Sequence, residues 1–216
     1  MSMNGASIGL GLGLADGSQF DYMRHSGSPS VDPFEALQEA TRQHRARHGC
    51  GAYTYDDGSL PGVLAAAVGA RRIVEVGTAL GYTACWLASA HDTTAVDTIE
   101  SDPEHVELAR TEIARYGLDD RVSVHHGDAE SVLADLDESA YDVAFFDGFA
   151  PTLAVVGLLR SRLRPGGLLI AANLTLGGAG AVRTELADVS LWRTHSFGET
   201  ALAVKTTEPD LPLKHS

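Results

Sequence analysis

The chain has 216 residues, 44% hydrophobic and 21% charged, which suits one well-filled α/β domain. Its formal net charge is −13, with two lysines beside fourteen arginines, so the surface repels phosphate backbones and no nucleic-acid partner is expected. Two cysteines cannot build a disulfide framework, and no stretch approaches the ~18–20 apolar residues of a membrane span, so no membrane partner is expected either.

Residues 1–30 are rich in Gly and Ser and read as a flexible segment, or one ordered only on contact. They lack the basic start and compact apolar core of a secretory signal, so a cytoplasmic protein is expected. Structure is expected from "VDPFEALQEATRQHRARHG", where Asp32 can cap, Pro33 suits the first helical position, Glu35 has capping-box spacing and Gly49 follows the end. The loop "GAYTYDDGS" then brings two tyrosines and two acids, and a second helix covers roughly 61–69.

From residue 71 the pattern becomes regular. Strand-like runs fall at 72–77, 93–100, 121–127, 141–147 and 166–173, with helical stretches near 80–90, 103–116, 128–136, 151–163 and 178–188. This alternation predicts a doubly wound, Rossmann-like, mostly parallel sheet with helices on both faces. "SLWRTHSF" and "TALAVKT" follow with a short gap and read as an antiparallel edge pair, giving seven strands. One domain is expected over 31–208, its first helices (31–70) covering the acceptor side, with a tail at 209–216.

Ligands in such sheets bind beyond the carboxyl ends of the strands, where strand order reverses. The first strand ends in "EVGTALGYTACWLA", a G-x-x-x-G turn (Gly77, Gly81) with Glu75 two residues earlier. It lacks the G-x-G-x-x-G spacing of a dinucleotide site, which disfavours a nicotinamide-dependent oxidoreductase. The second strand ends at Glu100, placed to hold a ribose diol, with Asp102 as the next helix cap. The third leads to Asp128 and Ala129, where Asp128 also suits an N-cap. The fourth, "YDVAFFDGFAP", ends an apolar run in Asp147. Capping alone does not account for Gly, Glu, Asp and Asp at four successive strand tips.

With these stretches, and "LRPGGLLIAANLTLGG" after them, the chain resembles the class I S-adenosylmethionine-dependent methyltransferases, within them the catechol and caffeoyl-CoA type O-methyltransferases. The resemblance covers about residues 60–205. It implies that Glu75, Gly77, Gly81 and Thr83 serve the methionine end of the cofactor and that Glu100 holds the ribose. Asp128 and Ala129 would edge the adenine, with Phe149 against it, and Asp147 would face the methionine ammonium. It further implies a small-molecule acceptor and a homodimer.

The chain departs from that family at the acceptor side. The family's D-x-x-K after the fourth strand is Asp147-Gly148-Phe149-Ala150 here, without the lysine. Its metal-binding Asp-Asn after the fifth strand is Ala172-Asn173. Asp147 and Asn173 therefore remain of a three-residue metal set, enough for Mg²⁺ held weakly or with substrate oxygens, or for none. The proton acceptor is open among Asp147, Glu199 and the histidines His25, His44 and His48. Tyr53, Tyr55 and Trp192 are candidates to shape the acceptor pocket, Trp192 also for the core. The expected activity is O-methyl transfer to a phenolic, sugar or other natural-product hydroxyl. The alternative is a catalytically inactive cofactor-binding protein on the same scaffold.

Overall fold

The computed structural model describes residues 32–207. The flexible segment and tail expected from sequence lie outside them, as does His25. Among the described residues no helix is long and apolar enough to cross a membrane.

Among these residues seven strands form one sheet: β1 (Arg72–Val76), β2 (Ala95–Glu100), β3 (Val122–His126), β4 (Tyr141–Phe146), β5 (Leu163–Ala171), β6 (Trp192–Phe197) and β7 (Thr200–Lys205). Their order is β3-β2-β1-β4-β5-β7-β6. The first five are parallel, and β7 joins both β5 and β6 antiparallel, as the short gap in the sequence predicted. The β6–β7 hairpin turns on two residues, Gly198 and Glu199, with Gly198 first at φ 56°, the position where such turns favour glycine. Glu199 thus sits in the turn and not along a strand.

Among the described residues seven helices flank the sheet: α1 (Glu35–His48), α2 (Ser59–Ala67), α3 (Tyr82–Ala88), α4 (Pro103–Arg115), α5 (Ala129–Asp135), α6 (Leu153–Arg162) and α7 (Gly180–Leu186). Ile73, Val143, Phe145 and Ile170 face one side, packing with residues of α1, α3 and α4 such as Leu37, Leu87 and Ile113. Val74, Ala144, Phe146 and Leu169 face the other, against Leu133, Val156, Leu159 and Val182. Strands covered on both faces need apolar residues at successive positions, which is why β4 reads as an unbroken run. Phe145 is fully buried, so truncation to alanine would cost about 3–5 kcal/mol.

Two boundaries differ from the sequence reading. Helix α1 starts at Glu35, because the Asp32 carboxylate accepts from the Phe34 N–H (2.8 Å) and from the Tyr82 hydroxyl (2.6 Å), so Pro33 and Phe34 form a turn ahead of the helix. Strand β5 begins at Leu163, paired to Tyr141, before the register shifts ahead of the Val143–Leu168 pair. The sequence reading starts this strand at Gly166, whereas the structure begins it three residues earlier and carries the 164–167 stretch as an irregularity in the strand.

Candidate active site

Strand order reverses between β1 and β4, and their ends touch. Gly77 continues the ladder by donating to the Ile99 carbonyl (3.0 Å), and Asp147 donates to that of Val76 (2.9 Å). A Cβ on Gly77 would lie 2.8 Å from the Asp147 carbonyl oxygen, and its φ of +99° also disfavours a side chain. Gly81, at φ +96°, opens α3, and a Cβ there would press on Ile113.

Glu75 supports this turn from behind. Its side chain has no exposed surface, although the resemblance placed it among the cofactor residues. One carboxylate oxygen accepts from the Thr83 hydroxyl and the other from Thr98 (2.6 Å), whose oxygen is also 2.6 Å from that of Thr78. Burial pushes the Glu75 carboxyl up to about 8, against the lowering effect of both threonines. With the carboxyl protonated, its O–H points along the Thr98 contact and Thr98 donates onward to Thr78, while Thr83 still donates to the other oxygen. Thr83 spends its proton on Glu75, leaving oxygen lone pairs for anything else. Thr98 and Thr78 were not singled out from sequence; the available signal was a threonine directly opposite a glutamate on adjacent buried strands.

Glu100 ends β2. Its carboxylate accepts from the backbone N–H of Ala79 (2.9 Å), fastening the glycine turn, and from that of Asp102 (3.0 Å). A carboxylate has about four acceptor positions, so two stay open for a diol. Asp128 is exposed and caps α5 through the Ser131 N–H (2.9 Å), with Ala129 half-buried beside it. Asp102 caps α4 in the same way.

Asp147 lies in a cleft of about 720 Å³. Loop 49–58 supplies Tyr53, Tyr55, Asp56 and Asp57, and the opposite wall carries Phe149, Asn173, Leu176, Phe197, Glu199 and Thr200. Gln38 of α1 steadies the loop through the carbonyls of Tyr55 (3.2 Å) and Asp56 (3.3 Å), and the Tyr55 hydroxyl pairs with that of Thr200 (3.1 Å). Burial pushes Asp147 up to about 7; the Asn173 amide opposes this, while Glu199 and Asp56 reinforce it. A buried carboxylate among other acids calls for a cation. Phe149, expected against an adenine, is 80% exposed at the cleft wall.

The oxygen donors for a metal fall short. Asn173, at φ 61°, turns its NH₂ toward Asp147 Oδ1 (3.2 Å) and the Gly148 carbonyl (2.8 Å). Two acceptors on that side require the amide nitrogen there, so Asn173 offers Asp147 a donor and not a second oxygen ligand. Ala172, in place of the family's acid, is buried and apolar. Of the family's three metal positions only Asp147 keeps an oxygen ligand, and that remnant by itself is a poor Mg²⁺ site.

His44 and His48 do not line this cleft; they stack on each other (4.4 Å) and His44 meets His105 edge to face. Trp192 is a core residue, 1% exposed. It also borders a separate groove of about 880 Å³ with Leu64, Val68, Leu174 and Val204. That groove is larger, but its lining among the described residues holds no carboxylate, unlike the cleft with Asp147 and Glu199.

A glycine turn, a strand-tip glutamate and a buried aspartate at the switch point of a 3-2-1-4-5-7-6 sheet define a class I S-adenosylmethionine-dependent methyltransferase. A family model described as "Methyltransferase domain" matches residues 74–173. A "Putative O-methyltransferase" of Mycobacterium sp. (strain JLS) is 34% identical over 165 residues, covering 74% of each chain. The chain belongs to this O-methyltransferase family. Among solved structures, cofactor-bound Rv0187 from MTB aligns with a TM-score of 0.66 and 26% identity, over 87% of this chain and 94% of that one. The O-methyltransferase from Bacillus cereus in complex with SAH shares the fold, with a TM-score of 0.70 at 24% identity over 82% and 94% of the two chains.

Proposed function

We propose that this chain methylates a hydroxyl of a small molecule bound in the Asp147 cleft, without a divalent metal, as a branch of the catechol and caffeoyl-CoA type whose metal centre has been dismantled. S-adenosylmethionine supplies the methyl group and leaves as S-adenosylhomocysteine. The carrying observation is that Asp147 belongs both to the glycine turn, through Gly77, and to the acceptor cleft, with Glu199. Gly77 and Gly81 let the cofactor approach the backbone. Glu100 holds the ribose, and Asp128 and Ala129 edge the adenine. Asp147 holds the ammonium, and Thr83 offers an oxygen beside it.

Tyr53, Tyr55, Phe149 and Phe197 form walls for a flat acceptor. Glu199 faces the same cleft and takes the acceptor's hydroxyl proton as the oxygen–carbon bond forms. The described lining holds four carboxylates and no lysine or arginine, which favours a neutral or cationic acceptor over one bearing carboxylate or phosphate. Exposed Val68, Val189 and Val204 around the larger groove support a homodimer, and free Cys50 and Cys85 suit a reducing, cytoplasmic setting.

A binding-only scaffold is the second reading, favoured by Ala150 and Ala172. Turnover separates the two. Labelled S-adenosylmethionine is offered with neutral phenols, amino-phenols and sugars in Mg²⁺-free buffer. Methyl transfer that falls about 10²-fold in Glu199→Gln, with S-adenosylhomocysteine affinity unchanged, supports the enzyme and the role of Glu199. Cofactor binding without transfer to any acceptor class supports the scaffold.

A further inference from the structure

Away from the cleft, two stretches far apart in sequence bring three ligand-type side chains together. His44 lies on α1, Cys50 in the loop after it and His105 in the first turn of α4. Each offers one ligand atom, and these atoms lie within 4.8 Å of one another. His44 and His105 are only 6% and 4% exposed. The His44 Nε2 atom is buried with no hydrogen-bond partner among the described residues.

A cluster of packed histidines leaves that nitrogen unsatisfied, at a cost of about 1–3 kcal/mol. A bound cation gives it a partner. We propose that His44, Cys50 and His105 form a site for a borderline-soft divalent cation, Zn²⁺ foremost, that staples the loop after α1 to the start of α4. Two imidazoles and a thiolate are zinc donors, whereas Mg²⁺ and Ca²⁺ take oxygen. Three protein ligands leave a fourth tetrahedral position. His48, one turn along α1 from His44, and Glu104 form a second triad with His44, also within 4.8 Å, which meets the first at His44.

The location gives the staple a consequence. Cys50 lies in the loop that carries Tyr53 and Tyr55 into the acceptor cleft. His105 Nδ1 stands 3.9 Å from Glu100 Oε1 at the tip of β2. The cation therefore fixes the acceptor wall against the strand end beside the glycine turn. The site shares no residue with Asp147 and Asn173.

The test uses the full chain, stripped with a chelator and dialysed into metal-free buffer. One equivalent of Co²⁺ is added and then displaced with Zn²⁺. The expected result is a thiolate-to-cobalt charge-transfer band saturating at one equivalent, lost in Cys50→Ser. Cys85 is fully buried in the core, so the band reports Cys50. Losing even an outer-shell partner costs about 10–100-fold in metal affinity, so His44→Gln should weaken Zn²⁺ binding by at least about tenfold. Zn²⁺ should also raise the thermal midpoint of the wild type and leave that of Cys50→Ser unchanged. Absence of both the band and Zn²⁺ uptake in the wild type overturns the proposal. So does uptake that is equal in wild type and Cys50→Ser, a comparison that stands even if His44→Gln does not fold.

Discussion

Gly77 and Asp147 meet backbone to backbone at the switch point of the sheet, with room for a hydrogen but not a methyl group between them. The contact brings the glycine turn after β1 and Asp147 after β4 into one unit. Gly77→Ala meets both a backbone oxygen and an unfavourable φ. It should lower folding stability by about 1–3 kcal/mol and weaken S-adenosylhomocysteine binding more than a comparable change at Gly117, a surface turn with open space around it. Thermal melts and calorimetry on both variants check this; equal effects on binding would show that the Gly77 contact is merely structural.

On the proposed function, Asp147 should make cofactor affinity pH-dependent. Burial pushes its carboxyl up to about 7, and only the ionised form attracts an ammonium. As pH falls through about 7 the carboxylate takes up a proton, so affinity for S-adenosylhomocysteine should drop by up to about tenfold per pH unit. Asp147→Asn should bind roughly 10- to 100-fold more weakly near pH 8 and lose that slope. Titrations between pH 5.5 and 8 measure both effects.

Glu75 works in the opposite sense, on stability. Its folded pKa, about 8, is raised above the ordinary value of 4.5, so its contribution is fully present below 4.5 and is lost as pH rises through 8. The loss is on the order of 5 kcal/mol across that window, since each tenfold gain in proton affinity on folding is worth about 1.4 kcal/mol. Glu75→Gln keeps a neutral hydrogen-bonding group in place. It should flatten this part of the pH–stability curve, with the mutant gaining on wild type from pH 5 to pH 9 in thermal melts.

Glu100 fastens the turn through the Ala79 N–H and, on the proposed function, also holds the ribose. Glu100→Ala removes the acceptor for the Ala79 N–H along with the diol contact, so binding should weaken by about tenfold or more. Comparing S-adenosylhomocysteine with its 2′-deoxy analogue isolates the ribose contribution: the wild type should prefer the hydroxylated ligand and the mutant should not.

The sheet was legible because β1 and β4 are covered on both faces and had to be apolar throughout. Candidate site residues could be picked out where a polar residue ends such a run, as at Glu100 and Asp147. Residues whose roles depend on a cross-strand or interhelical neighbour were harder to read. Thr98 matters because it stands opposite Glu75, and Glu199 because a two-residue turn swings it into the cleft. Phe149 follows Asp147 closely, yet the bend after β4 puts it on the exposed wall. His44 and His105 meet only because α1 lies over α3 and α4, a packing seen in the contacts of Phe34 with Trp86 and Tyr116.

The proposal that the cofactor site rests on Asp147 and needs no divalent metal has a direct test. S-adenosylhomocysteine is titrated calorimetrically into the wild type and Asp147→Asn in buffer free of Mg²⁺ and Ca²⁺, and again with Mg²⁺ added. The predicted result is tight, stoichiometric binding by the wild type that Mg²⁺ leaves unchanged, and markedly weaker binding by Asp147→Asn. Binding that appears only with Mg²⁺, or that is equal in the two proteins, would contradict it.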